Sequence, residues 1–436
     1  MKNKYKTWMG FSFLLIVYKA LLDFMFLPMY YTVFSYMTGA TYIFSLEKFS
    51  ISGVLFVVLI VSSLNIFKHP DIFTVIAVIL HCVCIVPMLS VYAFVSYVTV
   101  DEIIYPAIFW IILLTFFSLK KNYHGASMRL EIPFLKSASA VILVMSCFGT
   151  VICWAWAGFP ILLSLADSRS QRIALRANSM PTLLSYVFVA LGGVIFPYLF
   201  ARFLNSKKIL YAIIAFVCGF LLFSINGMKT WLFLYLFVIA LYVICRIKHD
   251  DAKGVGYLII IALCIVQIFC VEMYLKAEKV DFLSQFGRVF CIPNGIGFRS
   301  ITFFKDNELL YLRESILRHL FETPYQGGSD FYIEYGAKST VTSSRSNNGL
   351  WGDAFRNFGL VGMFVYPLLI GKSIDIVKHQ TDGLSFKFQI FILFLIIWNS
   401  VNVSFFTWLL TGGVILVYLL NCFFAKEDEA YKRNQK

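Results

Sequence analysis

Runs of about twenty apolar residues recur along this chain from end to end, and a helix of that length is what spans a bilayer. Read with a window of about 19 residues, the sequence predicts twelve such helices: Trp8–Tyr30, Ser50–Phe67, Ile72–Val95, Ile103–Leu119, Ala138–Phe159, Leu183–Leu204, Ile209–Ile225, Trp231–Cys245, Gly256–Leu275, Phe355–Ile370, Phe386–Trp398 and Phe405–Phe424. In hydrocarbon every backbone N–H and C=O must be paired within the fold, so runs this long suit helices and not barrel strands. Hydrophobic residues make up 60% of the chain and charged ones 14%, where a soluble protein carries roughly half and about a quarter. The mean hydropathy is +0.79. The expected fold class is an all-α polytopic membrane protein of about twelve transmembrane helices with one large external loop. No small-residue cleavage site follows the first apolar run, so that run reads as a span and not as a signal peptide.

The basic residues orient the chain. Lys2/Lys4/Lys6, Lys68, Lys120/Lys121/Arg129/Lys136, Lys207/Lys208, Arg246/Lys248/Lys253, Lys372/Lys378/Lys387 and Lys426/Lys432/Arg433/Lys436 all fall between the same alternate helices. By the positive-inside rule that side, with both termini, is cytoplasmic. The opposite side carries Asp101/Glu102 and neutral turns. A net charge of +13 distributed in this way sets topology and does not argue for a nucleic-acid partner, which needs a basic stripe with stacking aromatics. Nine of the ten cysteines sit in or at the ends of apolar helices, so they read as small apolar filler without a disulfide or metal framework. Within the first span, Lys19 and Asp23 lie four apart on one helical face. They read either as a neutralising pair inside the bundle or as a functional intramembrane site.

Three linear regions follow: nine helices over residues 1–275, a large external loop over 276–353, and three helices with a cytoplasmic tail over 354–436. Two external segments are unusual. In residues 161–182, Arg169, Arg172 and Arg176 are spaced three and four apart, so a helix sets all three on one face. They suit either anionic headgroups or bidentate recognition of phosphate or an acidic sugar. The loop 276–353 holds nine basic and nine acidic residues, so it is a folded element and not an electrostatic tail. Periodicity over Phe303–Phe321 (Leu309, Leu312, Ile316, Leu320) predicts short helices there. Aromatics such as Phe290, Tyr311, Tyr332 and Trp351 stand beside Asp, Asn and Arg. That mixture suits a sugar ring with one apolar face, or simply the core of a small cap.

Several catalytic patterns are absent. Gly371-Lys372-Ser373 lacks the glycine that a phosphate-binding loop needs, since Tyr366 stands five positions earlier. His-Glu-x-x-His, Gly-x-Ser-x-Gly and Asp-x-Asp do not occur. No metal and no cofactor is expected, and arginines are the residues left to neutralise a pyrophosphate.

Four stretches resemble the bacterial polymerases of O-antigen and capsular polysaccharide, which act on lipid-linked repeat units. They are Arg169–Arg176 with the Pro197 helix after it; Ser224-Ile-Asn-Gly227-Met-Lys229-Thr; Arg288-x4-Pro293 with Phe303-Phe304; and Asn347-Asn348-Gly349-x2-Gly352-Asp353-Ala-Phe-x-Asn357-Phe-Gly359. The resemblance runs from about Leu162 to Gly413. It implies an inner-membrane glycosyltransferase, active on the external face, that moves a chain from undecaprenyl pyrophosphate onto a new lipid-linked repeat unit. Donor and acceptor are then both undecaprenyl-pyrophosphate-linked oligosaccharides, membrane lipid is the surrounding medium, and a chain-length regulator and a flippase are candidate partners. Arg176 and Arg288 would stabilise the leaving pyrophosphate, with Arg169, Arg172 and Arg299 binding substrate. Asp353 would be the base, ahead of Glu334 and His319, and Asn347, Asn348 and Asn357 would bond sugar hydroxyls. Asp353 reads equally well as the N-cap of the tenth helix. The alternatives are a ligase-type transferase, which needs a functional histidine in the large loop where only His319 stands, and a lipid-linked oligosaccharide flippase, which predicts internal repeats that are not found.

Overall fold

The chain is an all-α, multi-pass membrane protein. A computed structural model describes residues 2–38, 40–120, 138–162, 171, 180–248, 250–277, 280–315, 317, 320–325, 328, 329, 333, 349–401 and 403–433. It is about 83% helical, and among the described residues the only β-pairing is an isolated bridge between Tyr42 and Val95. Ten described helices are long and apolar enough to cross a membrane: Tyr5–Phe34, Ile72–Phe94, Asp101–Lys120, Ala138–Trp156, Thr182–Asn205, Ile209–Asn226, Lys229–Ile247, Ala252–Ala277, Gly349–Thr381 and Phe405–Ala425. The other two expected spans are also helical but shorter, Leu46–Ser62 with its continuation Leu64–Lys68, and Phe386–Ser400.

The helices form two compact units. The first comprises Met1–His124, Asp251–Lys372 and Ser400–Phe406; the second comprises Gly125–Asp250, Ser373–Asn399 and Thr407–Lys436. Unit 1 is organised around Ile72–Phe94, the most apolar span and the one buried on every side, as expected of a helix with no polar face. Asp71 opens it with a reciprocal capping box, accepting from Thr74 N while Asp71 N donates to the Thr74 hydroxyl. The first span packs beside it through Phe11, Leu15, Tyr18 and Leu22, all fully buried. Unit 2 is built from Ala138–Trp156, Thr182–Asn205, Ile209–Asn226, Lys229–Ile247, Phe386–Ser400 and Val414–Arg433. One polar cluster in it forms where Arg202, Glu427, Ser139 and Lys208 meet.

The large loop differs from expectation in where it is helical. Its opening folds into two helices inside unit 1, Val280–Phe290 and Ile292–Lys305. The first buries Leu283, Phe286 and Phe290, four or three residues apart on one face, and the second starts with Pro293 in its first turn and is buried along most of its length. Downstream, where short helices were expected over Phe303–Phe321, the helix ends at Lys305 and residues 306–315 are non-helical. The helix gives way at Asp306 and Asn307, and Leu309 and Leu312 are half-buried in the non-helical segment that follows.

Candidate functional site

The sequence motif that closes the large loop turns out to be a hub of unit 1. The helix begins at Gly349, whose φ of +62° is a left-handed conformation, and a Cβ there would lie 2.8 Å from the Val401 carbonyl oxygen. Asp353 is therefore the fifth residue of its helix, not the N-cap. Its buried carboxylate caps a different helix: Oδ2 accepts from Phe405 N at 2.8 Å, where Phe405–Leu409 begins. Oδ1 accepts from Arg356 Nε at 2.9 Å and from Asn357 Nδ2 at 3.1 Å. Trp351 meets Phe298 edge to face, with centroids 5.3 Å apart.

Gly359 then breaks the helix, with φ +56° and ψ −136°. Past a break the carbonyls one turn earlier lose their helical donors, and here they take donors from the large loop. Arg356 O accepts from Leu310 N at 2.9 Å and Asn357 O from Tyr311 N at 3.2 Å. Asn357 Oδ1 accepts from Leu312 N at 2.9 Å. Tyr311 and Leu312 are both left-handed, with φ of 46° and 67°. Two consecutive non-glycine residues in that region cost about 1–3 kcal/mol each, so Asn357 is what holds this turn. Its amide donates back to Asp353 O and Oδ1, which leaves the side chain committed to the fold.

A second group of polar residues stands beside this hub, where Tyr105 packs on Phe355 at 4.8 Å between ring centroids. Glu102, 1% exposed, accepts from Thr302 Oγ1 at 2.6 Å and from Thr99 N at 3.1 Å. Both donors are neutral. Next to it Lys305 is ion-paired with Asp101, and that bond raises the Lys305 pKa above its usual value. The Arg299 guanidinium lies over the Tyr97 ring, 4.6 Å from its centroid. Burial pushes the Tyr97 phenol up to about 12, with the Arg299 charge pulling it back down. The charge of Arg299 also reaches Tyr31, and that of Arg288 reaches Tyr30. Arg288 itself is exposed at the end of Val280–Phe290, and among the described residues it has no ion-pair partner.

Of the residues singled out in the sequence, Arg288, Arg299, Asp353 and Asn357 thus fall in unit 1. Asp353 and Asn357 touch each other; Arg288 and Arg299 belong to the tyrosine group. Arg169, Arg172, Arg176, Asn347, Asn348, Glu334 and His319 lie outside the described residues. Glu102, Tyr97 and Thr302 were not anticipated. The acidic pair Asp101/Glu102 on the otherwise neutral face was the available signal, but its partners lie some 200 residues away. No family model, no curated protein and no solved structure matches this chain.

Proposed function

We propose that the protein is a membrane glycosyltransferase that polymerises undecaprenyl-pyrophosphate-linked oligosaccharide repeat units on the external face of a bacterial inner membrane. The observation that carries this reading is the group formed by Arg288, Arg299, Tyr97 and Glu102: an exposed arginine without a partner among the described residues, a second arginine set on an aromatic ring, and a buried carboxylate held by neutral donors. These residues stand on the side that the lysine and arginine distribution makes external. The order of the four motifs, Arg169–Arg176 among them, supports the same family.

The chemistry is a single displacement. The acceptor hydroxyl oxygen bonds to the anomeric carbon as the bond to the lipid pyrophosphate breaks, and the hydroxyl proton passes to a base. Negative charge grows on the departing pyrophosphate, which the Arg288 guanidinium stabilises. Glu102 is the better base of the two carboxylates. Taking a proton costs it no ion pair, whereas Asp353 would have to release Arg356 and the start of the Phe405–Leu409 helix. Aromatic faces at Tyr97 and Tyr311 suit the sugar rings.

The test is a surface-polysaccharide gel of a strain lacking the gene, beside its parent and a complemented strain. Collapse of the ladder to a single repeat unit is the expected outcome, and an unchanged ladder overturns the reading. Complementation with Arg288→Ala, Arg176→Ala or Glu102→Gln should restore protein level without long chains, because losing one charge-stabilising group costs about 10²–10³ in rate. Loss of even the single-unit band would point to ligation or export.

A further inference from the structure

The first span carries another set of polar atoms, within the bundle of unit 1 and apart from the groups above. Lys19 Nζ donates to Asp23 Oδ2 at 2.6 Å, and both residues are buried. A pair four apart on one helix cancels the formal charge but uses only one carboxylate oxygen. Oδ1 of Asp23 is buried with no hydrogen-bond partner. Ser90, on the enclosed Ile72–Phe94 span, stands within hydrogen-bonding reach of this carboxylate, yet its alignment is poor enough that neither Asp23 Oδ1 nor Ser90 Oγ has a partner of acceptable geometry. About one turn earlier, Tyr18 donates to the Cys82 carbonyl at 2.7 Å. Gln267, from Ala252–Ala277, lies beside Tyr18, and both its Nε2 and its Oε1 are unpartnered.

Four buried polar atoms on three helices are therefore unsatisfied in one part of unit 1. Each would forfeit its full solvation in an apolar bundle, which native folds avoid by binding water or an ion. A second cation is disfavoured, because the Lys19 ammonium already stands on the carboxylate. Water can both donate to Asp23 Oδ1 and accept from Ser90 Oγ, and it meets both the donor and the acceptor of the Gln267 amide. The backbone is adapted on both sides of the site. Asp23 sits in a π-helical turn, Leu22–Phe26, and Cys82 in another, His81–Ile85. Such turns leave carbonyls outside the regular helical ladder and recur at functional sites.

We propose that unit 1 holds an internal water site, in which water completes the hydrogen bonding of Asp23 Oδ1, Ser90 Oγ and the Gln267 amide beside Tyr18. The ligand is water, and the site makes the Lys19–Asp23 pair a hydrated ion pair inside the membrane bundle.

Two measurements on the purified full chain in lipid nanodiscs test this. Radiolytic hydroxyl labelling oxidises side chains next to bound water. Tyr18 is 0% exposed and Tyr311, in the large loop outside the spans, 56%, so a dry Tyr18 stays unlabelled while Tyr311 reacts. The site predicts oxidation of Tyr18 within several-fold of Tyr311. The second measurement reads a sign. If the bundle is dry, Ser90→Ala and Gln267→Leu each remove an unsatisfied group and raise the melting temperature; if water is bound, each strands that water and lowers it by a few degrees. Ser90→Ala removes one oxygen and is the variant least prone to misfold. An unlabelled Tyr18, or a melting temperature that stays level or rises in Ser90→Ala, overturns the proposal.

Discussion

An ion pair in unit 1 and one in unit 2 are built on opposite principles. In unit 1, Lys19 and Asp23 are neighbours on one helix and leave a carboxylate oxygen unused. In unit 2, Arg202 and Glu427 join two helices that are 225 residues apart in the chain. There Glu427 Oε1 accepts from Ser139 Oγ at 2.6 Å and Oε2 from Ser139 N at 3.2 Å, with Lys208 at 3.7 Å. Arg202 also lies over the Phe424 ring at 4.3 Å, and Tyr198 donates to Asn421 nearby. The second network ties helices together with both carboxylate oxygens occupied, whereas the first joins two residues of one helix and leaves a carboxylate oxygen unused.

The largest expected effect breaks the clamp. Arg202→Ala leaves Glu427 without its buried cation and removes the guanidinium from Phe424. Loss of one partner of a buried pair costs about 3–5 kcal/mol, and the lower end applies because the Glu427 side chain keeps 18% exposure. The melting temperature should fall by several degrees, with proteolysis appearing first in the C-terminal helix. Arg202→Met keeps the packing on Phe424 and discards the charge. Equal damage from both variants assigns the clamp to the ion pair; recovery in the methionine variant assigns it to packing.

Asp353 and Glu102 carry the same contrast into the candidate site. Asp353→Asn weakens hydrogen bonds to Arg356 and to Phe405 N, worth about 1.5–3 kcal/mol for bonds to a charged group. The expected result is a drop in folded protein, with polymer falling in proportion. Glu102→Gln keeps an acceptor for Thr302 Oγ1 and should leave folded protein near the parental level while polymer disappears. Specific activity per folded molecule distinguishes the two: unchanged in the first, lost in the second. If Asp353→Asn folds normally and is inactive, the base is Asp353 after all.

Much of this architecture was legible in the residues. Each of the twelve apolar runs corresponds to a helix, because a span needs only length and hydropathy. The Lys19–Asp23 contact followed from a four-residue spacing. The helices at Val280–Phe290 and Ile292–Lys305 were not legible as packed elements, since Asp281, Arg288 and Arg299 dilute their hydropathy while Leu283, Phe286 and Phe290 bury one face. The closing motif was visible, but its physical role was not. Asp353 pairs with Phe405, 52 residues on, and Asn357 with Leu312, 45 residues back. Side-chain chemistry alone suggested a base and a sugar-binding amide. Only the fold reveals that both atoms are engaged in holding a strained turn and capping a helix.

The smallest expected effect concerns the exposed pair beside Glu102. Lys305 and Asp101 are joined across 204 residues, but their side chains keep 32% and 61% exposure. Solvent and salt screen such a pair, so Lys305→Ala should cost no more than about 1 kcal/mol. The sign with pH is fixed by the lysine. Its pKa is raised in the folded protein, so the stabilisation is fully present below the ordinary lysine value and is lost as pH rises through the raised one. Melting curves of parent and Lys305→Ala should therefore differ slightly at neutral pH and converge in the alkaline range, in acid once the Asp101 carboxylate is protonated, or at high salt at any pH. A difference of several degrees that survives molar salt would show that Lys305 belongs with Glu102 in a desolvated site, and the boundary drawn between the two groups would have to move.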